Sequence, residues 1–171
     1  LVVMPTGEGK SLCYQLPAVV GPGLTVVVSP LIALMDDQVA GLQRKGVAAT
    51  CVHSLLERRE RERRLAEVER GAVRLLYCTP ERFRVPGFLP LLQRLTVARL
   101  AVDETHCVSH WGHDFRPDYL QLGDVRAALG DPPVLALTAT ATPEVQADVR
   151  TVLRLLDAPL FHTGIERTNL F

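Results

Sequence analysis

Short apolar runs alternate with amphipathic stretches along the 171 residues of the chain. The apolar runs are rich in β-branched residues and mostly continuous, which is typical of strands buried on both faces of a parallel sheet. We predict strands within residues 1–3, 24–28, 47–52, 73–78, 95–102 and 134–137, and helices over about residues 10–20, 31–45, 54–70, 87–94, 117–129 and 143–156. The alternation of strands and helices predicts an α/β fold with a mainly parallel central sheet.

One predicted helix is unusually rich in charge. Residues 57–70 contain six arginines and five glutamates, and Glu57 and Glu60 stand four residues before Arg61 and Arg64. Glutamate leading arginine at this spacing favours a helix through ion pairs along its surface. We therefore predict a solvent-exposed helix face, with a nucleic-acid-binding surface as the alternative.

The composition indicates one globular domain, since 47% of the residues are hydrophobic and 22% are charged. The formal net charge is zero, so any contact with nucleic acid must be local rather than a property of the whole surface. The four cysteines form no Cys-x-x-Cys pair and no spacing typical of zinc ligands. We expect reduced thiols, no zinc, no membrane partner and a cytoplasmic location, on the nucleoid if the source is bacterial.

The first candidate site follows the first strand. Gly7 and Gly9 permit a tight turn whose backbone N–H groups approach phosphates, and the helix that follows directs its positive end at the anion. Lys10 is placed to reach the outer phosphates of a nucleotide, and the hydroxyl of Ser11 to bind Mg²⁺. Met4 stands where the strict Gly-x-x-x-x-Gly-Lys-Ser/Thr pattern has glycine. The alternative is therefore a strand–turn–helix corner that binds no nucleotide.

The second candidate site is the acidic pair Asp103-Glu104, which ends the apolar run over residues 95–102. A phosphate-binding loop requires a carboxylate at the end of another strand to hold its magnesium ion. We assign this role to Asp103, and we expect Glu104 to orient or deprotonate the attacking water. A polar strand end without catalytic function is the alternative.

Together these segments resemble the first motor domain of superfamily 2 helicases, and specifically the RecQ family of DNA helicases. The resemblance rests on residues 4–15, 28–38, 77–82, 103–106 and 137–141, which are similar to motifs I, Ia, Ib, II and III of that family. The most specific stretch is residues 107–117, which resembles the aromatic-rich loop that RecQ enzymes carry after motif II. Thr105 and His110 depart from the usual alanine and glutamine, which puts full activity in question but not the family.

The resemblance implies a RecA-like three-layer fold for residues 1–165, and a linker over residues 166–171 that leads to a second RecA-like domain. It implies ATP and Mg²⁺ as ligands, and coupling of ATP hydrolysis to single-stranded DNA translocation and duplex unwinding in the complete protein. The implied catalytic residues are Lys10, Asp103, Glu104 and His106. ATP binding falls to Thr6, Gly7, Glu8, Gly9, Lys10 and Ser11, and magnesium binding to Ser11 and Asp103. DNA binding and coupling fall to Ser29, Pro30, Thr79, Arg82, Trp111, His113, Phe115, Arg116, Thr138 and Thr140.

Two other functions stay open at this stage. A P-loop kinase or simple NTPase accounts for the phosphate loop but not for residues 107–117. A nucleic-acid-binding or protein-binding module with a degenerate ATP site conflicts with the intact Lys10, Ser11 and acidic pair. We also expect the chain alone neither to unwind DNA nor to hydrolyse ATP efficiently, because the second motor domain supplies the arginine finger. His53 and His162 are expected to have ordinary structural or surface roles.

Overall fold

The computed structural model describes residues 1–162, so the predicted linker at residues 166–171 lies outside the described part of the chain. Within it, seven strands form one sheet in which every pairing is parallel. The strands are β1 (Val2–Val3), β2 (Leu24–Val28), β3 (Ala49–Val52), β4 (Leu75–Cys78), β5 (Val97–Val102), β6 (Val134–Thr138) and β7 (Phe161–His162). Their order across the sheet is β3-β4-β2-β5-β6-β1-β7.

Six α-helices connect these strands in the described residues. They are α1 (Leu12–Val20), α2 (Ile32–Arg44), α3 (Arg58–Glu69), α4 (Phe88–Gln93), α5 (Leu122–Ala128) and α6 (Pro143–Val152). Short 3-10 helices span Pro80–Arg84, Thr105–Val108 and Pro117–Gln121. None of the helices within residues 1–162 is both long and apolar enough to cross a lipid bilayer.

The sheet separates two hydrophobic clusters. Alternate residues of a strand point to opposite faces, and Val27 therefore belongs to one cluster while Val26 and Val28 belong to the other. Helices α1 and α2 supply the helical residues of the first cluster, and α3 to α6 supply those of the second. The predicted three-layer α/β sandwich with a parallel sheet is thus confirmed.

The predicted elements are present, but several boundaries were wrong. Helix α3 begins four residues later than expected because Glu57 has an extended backbone. The predicted helix over residues 117–129 is divided into a 3-10 turn that starts at Pro117 and the α-helix α5. Helix α6 ends early because Arg154 adopts a left-handed conformation with φ 55°. Strand β7 was missed, since it consists of only two exposed residues.

A parallel sheet places the carboxyl ends of all its strands at one edge, which is where ligands bind in open α/β sheets. Met4, Ser29, Thr79 and Asp103 each follow a strand at this edge, and Thr138 is the last residue of β6. The fold therefore gathers segments that are far apart in the sequence into one surface.

Candidate functional site

A cavity of about 310 Å³ opens at the carboxyl edge of the sheet. One wall is the loop between β1 and α1, and the other is formed by the ends of β2, β4 and β5 together with α2. The residues that line it are Thr6, Gly7, Gly9, Lys10, Ser11, Tyr14, Ser29, Leu34, Met35, Gln38, Tyr77, Asp103 and Glu104. The phosphate-loop residues and the acidic pair, predicted as partners from the sequence, thus face the same cavity.

The loop after β1 has the geometry of an anion-binding turn. Gly7 and Gly9 have φ angles of 90° and 84°, a region that L-residues with side chains rarely adopt. Lys10 donates a hydrogen bond of 2.8 Å from Nζ to the carbonyl oxygen of Met4, which holds its ammonium group at the loop. The side chain of Glu8 is exposed and does not line the cavity. If Glu8 contributes to ATP binding, as the sequence predicts, it does so through its backbone and not through its side chain.

The acidic pair occupies the turn after β5. Burial, and after it the neighbouring Glu104 carboxylate, raise the pKa of Asp103 to about 6. The backbone N–H of Glu104 donates to Asp103 Oδ1 at 3.0 Å, while the Tyr119 hydroxyl donates to the Asp103 carbonyl at 2.9 Å. Glu104 itself has a left-handed backbone with φ 49° and ψ 46°, a strained conformation that directs its carboxylate to the site.

A polar chain leads from Glu104 to the end of β6. His106 Nδ1 lies 3.3 Å from Glu104 Oε2 and 2.9 Å from Thr138 Oγ1. The Thr138 hydroxyl donates its proton to the carbonyl of Thr140 at 3.0 Å. It must therefore accept from His106, which places the imidazole proton on Nδ1. Burial, assisted by the adjacent His113, lowers the pKa of His106, so a neutral imidazole is favoured.

A second cavity of about 340 Å³ lies on the other side of this chain. Its lining residues are Thr6, Pro30, Leu31, Glu104, His106, His113, Asp114, Ala139 and Thr140. Thr6 and Glu104 line both cavities. The carboxylate expected to act on the attacking water thus lies at the boundary between the nucleotide side and the residues predicted to respond to DNA.

Thr105 points away from the catalytic pair. It is fully buried, and its hydroxyl donates to the carbonyl of Leu137 at 3.2 Å. The extra hydroxyl relative to the usual alanine therefore has a structural partner on β6. A direct effect on the attacking water, which the sequence left open, is not supported by this geometry.

The segment over residues 107–117 is buried at its start and exposed at its centre. Cys107 and Val108 belong to the hydrophobic core, whereas the side chain of Trp111 is 78% exposed, which excludes a core role for this tryptophan. His110 stacks on Phe115 with ring centroids 3.7 Å apart. The exposed indole is thus available to a partner, and Phe115 is partly covered by the histidine that departs from the family pattern.

Arg116 is already paired within the same segment. Its guanidinium donates to Asp114 Oδ2 at 2.9 and 3.0 Å and more weakly to the carbonyl of Pro30 at 3.5 Å. This pair raises the pKa of Arg116 and lowers that of Asp114. A phosphate that binds Arg116 must therefore compete with Asp114 or pull the pair apart.

Three polar side chains near the ends of β2 and β4 are buried without a hydrogen-bond partner among residues 1–162. The atoms are Ser29 Oγ, Thr79 Oγ1 and Arg82 Nε. Arg82 lies 5.4 Å from the Phe88 ring centroid, and its pKa is lowered by burial and by Arg61. Unsatisfied buried donors are costly, so an incoming anion at this point would supply a missing partner.

Helix α3 is largely the ion-paired surface that the sequence predicted. Glu60 pairs with Arg63 and Arg64 at 2.7 Å each, and Arg58 pairs with Glu62 at 2.8 Å. The expected pair between Glu57 and Arg61 was wrong for the described structure. Arg61 instead donates to the carbonyl of Leu56 at 3.4 Å, because Glu57 precedes the helix with an extended backbone.

Sequence reasoning missed several contacts that support the site. Tyr14 and Tyr77 line the nucleotide-side cavity with their rings 6.2 Å apart, and burial raises the pKa of both hydroxyls. Gln15 donates to Gln38 at 2.6 Å and to Tyr77 at 3.2 Å, which ties α1 to α2 and β4. The only sequence signal for these four residues was their position inside three of the motifs, at residues 4–15, 28–38 and 77–82.

A cluster of Asp36, Cys51 and His53 lies on the far side of β3, and its ligand atoms are within 4.8 Å of one another. Its geometry is that of a hydrogen-bonded group. Asp36 Oδ1 is 3.1 Å from Cys51 Sγ and 3.3 Å from His53 Nε2, and Arg64 donates to the same sulfur. Burial and Asp36 raise the pKa of Cys51 to about 12, so the thiol keeps its proton. All four cysteines of the chain are free.

Comparison with known proteins identifies the family. Residues 1–149 match the model of the DEAD/DEAH box helicase family. The chain is 52% identical to ATP-dependent DNA helicase Q5 of Rattus norvegicus over 99% of its own length and 18% of that protein. It is 46% identical to ATP-dependent DNA helicase RecQ of Bacillus subtilis, over 98% of its length and 29% of that protein. The chain thus spans less than a third of either relative.

Solved structures agree on the fold. A hypothetical ATP-dependent RNA helicase from Sulfolobus tokodaii aligns with a TM-score of 0.68 and 18% identity, over 94% of this chain and 46% of that one. The helicase MrfA, solved with DNA and AMPPNP, aligns with a TM-score of 0.66 and 17% identity, over 95% and 24% of the two chains. The phosphate loop, the acidic pair and the sequence matches lead to one conclusion: this chain belongs to the DEAD/DEAH box helicase family, and over nearly its whole length it is similar to RecQ-type DNA helicases.

Proposed function

We propose that this chain is the ATP-binding half of a DNA-stimulated ATPase. In the complete protein it couples ATP hydrolysis to movement along single-stranded DNA and to unwinding of duplex DNA. The observation that carries the proposal is the position of Glu104, which lines the nucleotide-side cavity and also the cavity that reaches His106, His113 and Thr140. One carboxylate is thus shared between the two ligand surfaces.

The triphosphate of ATP binds along the loop from Thr6 to Ser11. The left-handed Gly7 and Gly9 permit backbone N–H groups to face phosphate oxygens, and the start of α1 adds its positive dipole. Lys10 exchanges its hydrogen bond with the Met4 carbonyl for the outer phosphates. Before ATP binds, Lys10 is therefore held by a hydrogen bond within the loop instead of by water, and the phosphates take the place of the Met4 carbonyl.

Magnesium fits the same cavity by the chemistry of its lining residues. Ser11 and Asp103 offer a hydroxyl and a carboxylate oxygen, which are the ligand types that Mg²⁺ prefers. The carboxylate of Asp103 is partly desolvated beside a second carboxylate, with its pKa raised to about 6, so a cation there stabilises its ionised form. The bound ion would neutralise charge on the outer phosphates.

Glu104 orients the attacking water and accepts its proton. The carboxylate lies 3.3 Å from His106 Nδ1, whose proton is donated to Thr138. These contacts fix the direction of the carboxylate against the strain of its left-handed backbone. A second motor domain in the complete protein supplies the arginine that stabilises charge on the transferred phosphate, so hydrolysis by this chain alone is expected to be slow.

Single-stranded DNA follows the surface formed by Ser29, Pro30, Thr79 and Arg82. Ser29 Oγ, Thr79 Oγ1 and Arg82 Nε lack partners in the described structure, and phosphate oxygens satisfy such donors without reading the base sequence. Four residues suffice for a narrow track, which agrees with a chain of zero net charge. Trp111 adds a base-stacking surface worth about 1–3 kcal/mol.

The decisive experiment compares ATP hydrolysis by the complete parent protein with and without single-stranded DNA. Lys10→Ala is the test variant, and Lys45→Ala, an exposed lysine at the end of α2, is the matched control. We expect DNA to stimulate the wild type and the Lys45→Ala variant, and Lys10→Ala to abolish both basal and stimulated turnover.

The other outcomes separate the remaining functions. Turnover that depends on Lys10 but is indifferent to DNA indicates a simple P-loop NTPase. DNA binding without any turnover indicates a binding module with a degenerate ATP site. Either result contradicts the proposed coupling.

A further inference from the structure

Ser109, near the start of the segment over residues 107–117, forms a hydrogen bond with α6. Ser109 is fully buried at the end of the 3-10 helix Thr105–Val108. Its hydroxyl donates to Asp148 Oδ2 at 2.6 Å and accepts from the backbone N–H of Trp111 at 3.1 Å. The short contact with a carboxylate is typical of a charge-assisted hydrogen bond.

The backbone of Ser109 is also fully engaged. Its N–H donates to the carbonyl of His106 at 3.1 Å, and its carbonyl accepts from Gly112 at 3.0 Å. Four hydrogen bonds therefore meet at this residue, and of these four only the one to Asp148 has a partner outside residues 106–112. This contact therefore joins the turn that carries the exposed indole directly to α6, beside the core packing of Cys107 and Val108 and the contact of Arg116 with Pro30.

Asp148 decides the orientation of the hydroxyl. A serine hydroxyl has a single proton, and it is directed at the carboxylate of Asp148, which accepts the hydrogen bond. The lone pairs of the oxygen then face the N–H of Trp111. Without an acceptor at position 148 the hydroxyl can rotate, and the turn that presents the indole loses its fixed geometry.

Helix α6 also connects this contact to the end of β6. It begins at Pro143, shortly after Thr138 and Thr140, and its residues Val145 and Val149 belong to the same hydrophobic cluster as Cys107 and Val108. Gln146 donates to the carbonyl of Ala141 at 3.0 Å, which ties the helix to the strand end. Helix α6 therefore packs against the 3-10 helix Thr105–Val108, which contains His106 of the polar chain that starts at Glu104.

We propose that Asp148 is a positioning residue for DNA-stimulated hydrolysis: by fixing the Ser109 hydroxyl it anchors the turn that carries Trp111. A base that stacks on the indole then moves residues 110–116 about a fixed point at Ser109 rather than displacing the whole segment. Asp148 touches neither ATP nor DNA in this role. The inference rests on the proposed function, since it assumes that Trp111 responds to DNA.

The test uses the complete parent protein and three variants. Asp148→Ala removes the acceptor, Ser109→Ala removes the hydroxyl, and Asp148→Asn keeps an acceptor oxygen. We expect Asp148→Ala to lower DNA-stimulated ATP hydrolysis about tenfold, with DNA-free hydrolysis within twofold of wild type. Asp148→Asn should recover at least half of this loss, and Asp157→Ala, an exposed aspartate beyond α6, should show none.

Two further measurements separate positioning from general destabilisation. Ser109→Ala should match Asp148→Ala, and the double variant should be no worse than either one, because both remove the same contact. Trp111 is the single tryptophan of the 171 residues, so its ¹⁹F resonance after 5-fluorotryptophan labelling can be assigned with Trp111→Phe. That resonance should shift or broaden in Asp148→Ala without DNA, and should return towards wild type in Asp148→Asn.

The result that overturns the inference is an additive double variant, or equal losses of DNA-free and DNA-stimulated hydrolysis with an unchanged ¹⁹F resonance. If Asp148→Ala does not fold, Ser109→Ala and Asp148→Asn decide the question by the same criteria. A wild-type protein that DNA fails to stimulate contradicts the proposed function instead, so the two failures are distinguishable.

Discussion

His106 Nδ1 lies 2.9 Å from Thr138 Oγ1, across 32 residues of sequence, and 3.3 Å from the Glu104 carboxylate. The imidazole thereby joins the turn after β5 to the end of β6. The Nδ1 proton of His106 is donated to the Thr138 hydroxyl, and the negative charge of the Glu104 carboxylate lies close by. A movement of either strand end therefore alters one of these two distances.

The neutral state of His106 predicts a pH dependence of stability. Burial lowers the pKa of His106 in the folded chain. Below about pH 6.5 this histidine is therefore protonated in the unfolded chain to a greater extent than in the folded chain. The free energy of unfolding should therefore fall as the pH is lowered through this range, by up to about 1 kcal/mol at pH 5.5 from this residue. Urea denaturation of wild type and His106→Gln at pH 7.5 and 5.5 measures it. The variant should lose less stability on acidification, and His162→Gln, at an exposed position, should behave as wild type.

The left-handed backbone of Glu104 predicts a conflict between stability and activity. At φ 49° a side chain costs about 1 kcal/mol relative to glycine. Glu104→Gly and Glu104→Ala both remove the carboxylate, so each should lower ATP hydrolysis by about 10²-fold or more. Of the two, Glu104→Gly should have the larger free energy of unfolding, by about 1 kcal/mol. Equal stabilities in urea denaturation would show that this turn carries no backbone strain.

The buried Arg82 predicts a defined salt dependence of DNA binding. If Arg82 contacts a phosphate, Arg82→Gln should weaken binding of single-stranded DNA similarly for all base sequences. The slope of log affinity against log salt concentration should fall by about 1. Fluorescence anisotropy over a salt series, with the complete protein, measures both. Arg59→Gln on the exposed face of α3 is the control, and an unchanged slope in Arg82→Gln would remove Arg82 from the DNA track.

Because Trp111 is exposed, we predict that it contributes more than Phe115 to the binding of single-stranded DNA by base stacking. Trp111→Ala should weaken single-stranded DNA binding by about 1–3 kcal/mol, roughly 5- to 150-fold. Phe115→Ala should cost less, because His110 already covers the Phe115 ring at 3.7 Å and must leave before a base can stack. The variant His110→Gln should reveal this competition as tighter binding that is lost again in His110→Gln/Phe115→Ala. A larger loss in Phe115→Ala than in Trp111→Ala would reverse the assigned roles.

The order of elements and the two halves of the nucleotide site could be predicted from the sequence, because they depend on local patterns. Apolar runs revealed the strands; Asp103 directly follows such a run, and Lys10 ends the glycine-containing loop that follows another. The contacts between segments could not be predicted in this way. The pairs His106–Thr138 and Ser109–Asp148 join residues 32 and 39 positions apart, and only the register of β5 beside β6 brings them together.

The turn of residues 117–121 shows a further limit of sequence patterns. Its apolar and polar residues suit a helix, but Pro117 begins a 3-10 turn, and the Tyr119 hydroxyl then reaches the Asp103 carbonyl. Likewise, the polar neighbours of Trp111 favoured a stacking role over a place in the core, and the structure leaves its side chain 78% exposed. Tertiary packing decided both cases.

The hydrogen bond from Lys10 to Met4 explains why the first position of the phosphate loop accepts methionine. Only the carbonyl oxygen of Met4 receives the ammonium group, and every amino acid offers that oxygen. The backbone of Met4 lies outside the left-handed region that Gly7 and Gly9 occupy, so no steric rule reserves this position for glycine. The hydrogen bond from Lys10 is therefore independent of the side chain at position 4, although Met4 itself packs against the hydrophobic cluster that contains Val27, and searches that insist on glycine there will overlook loops of this kind.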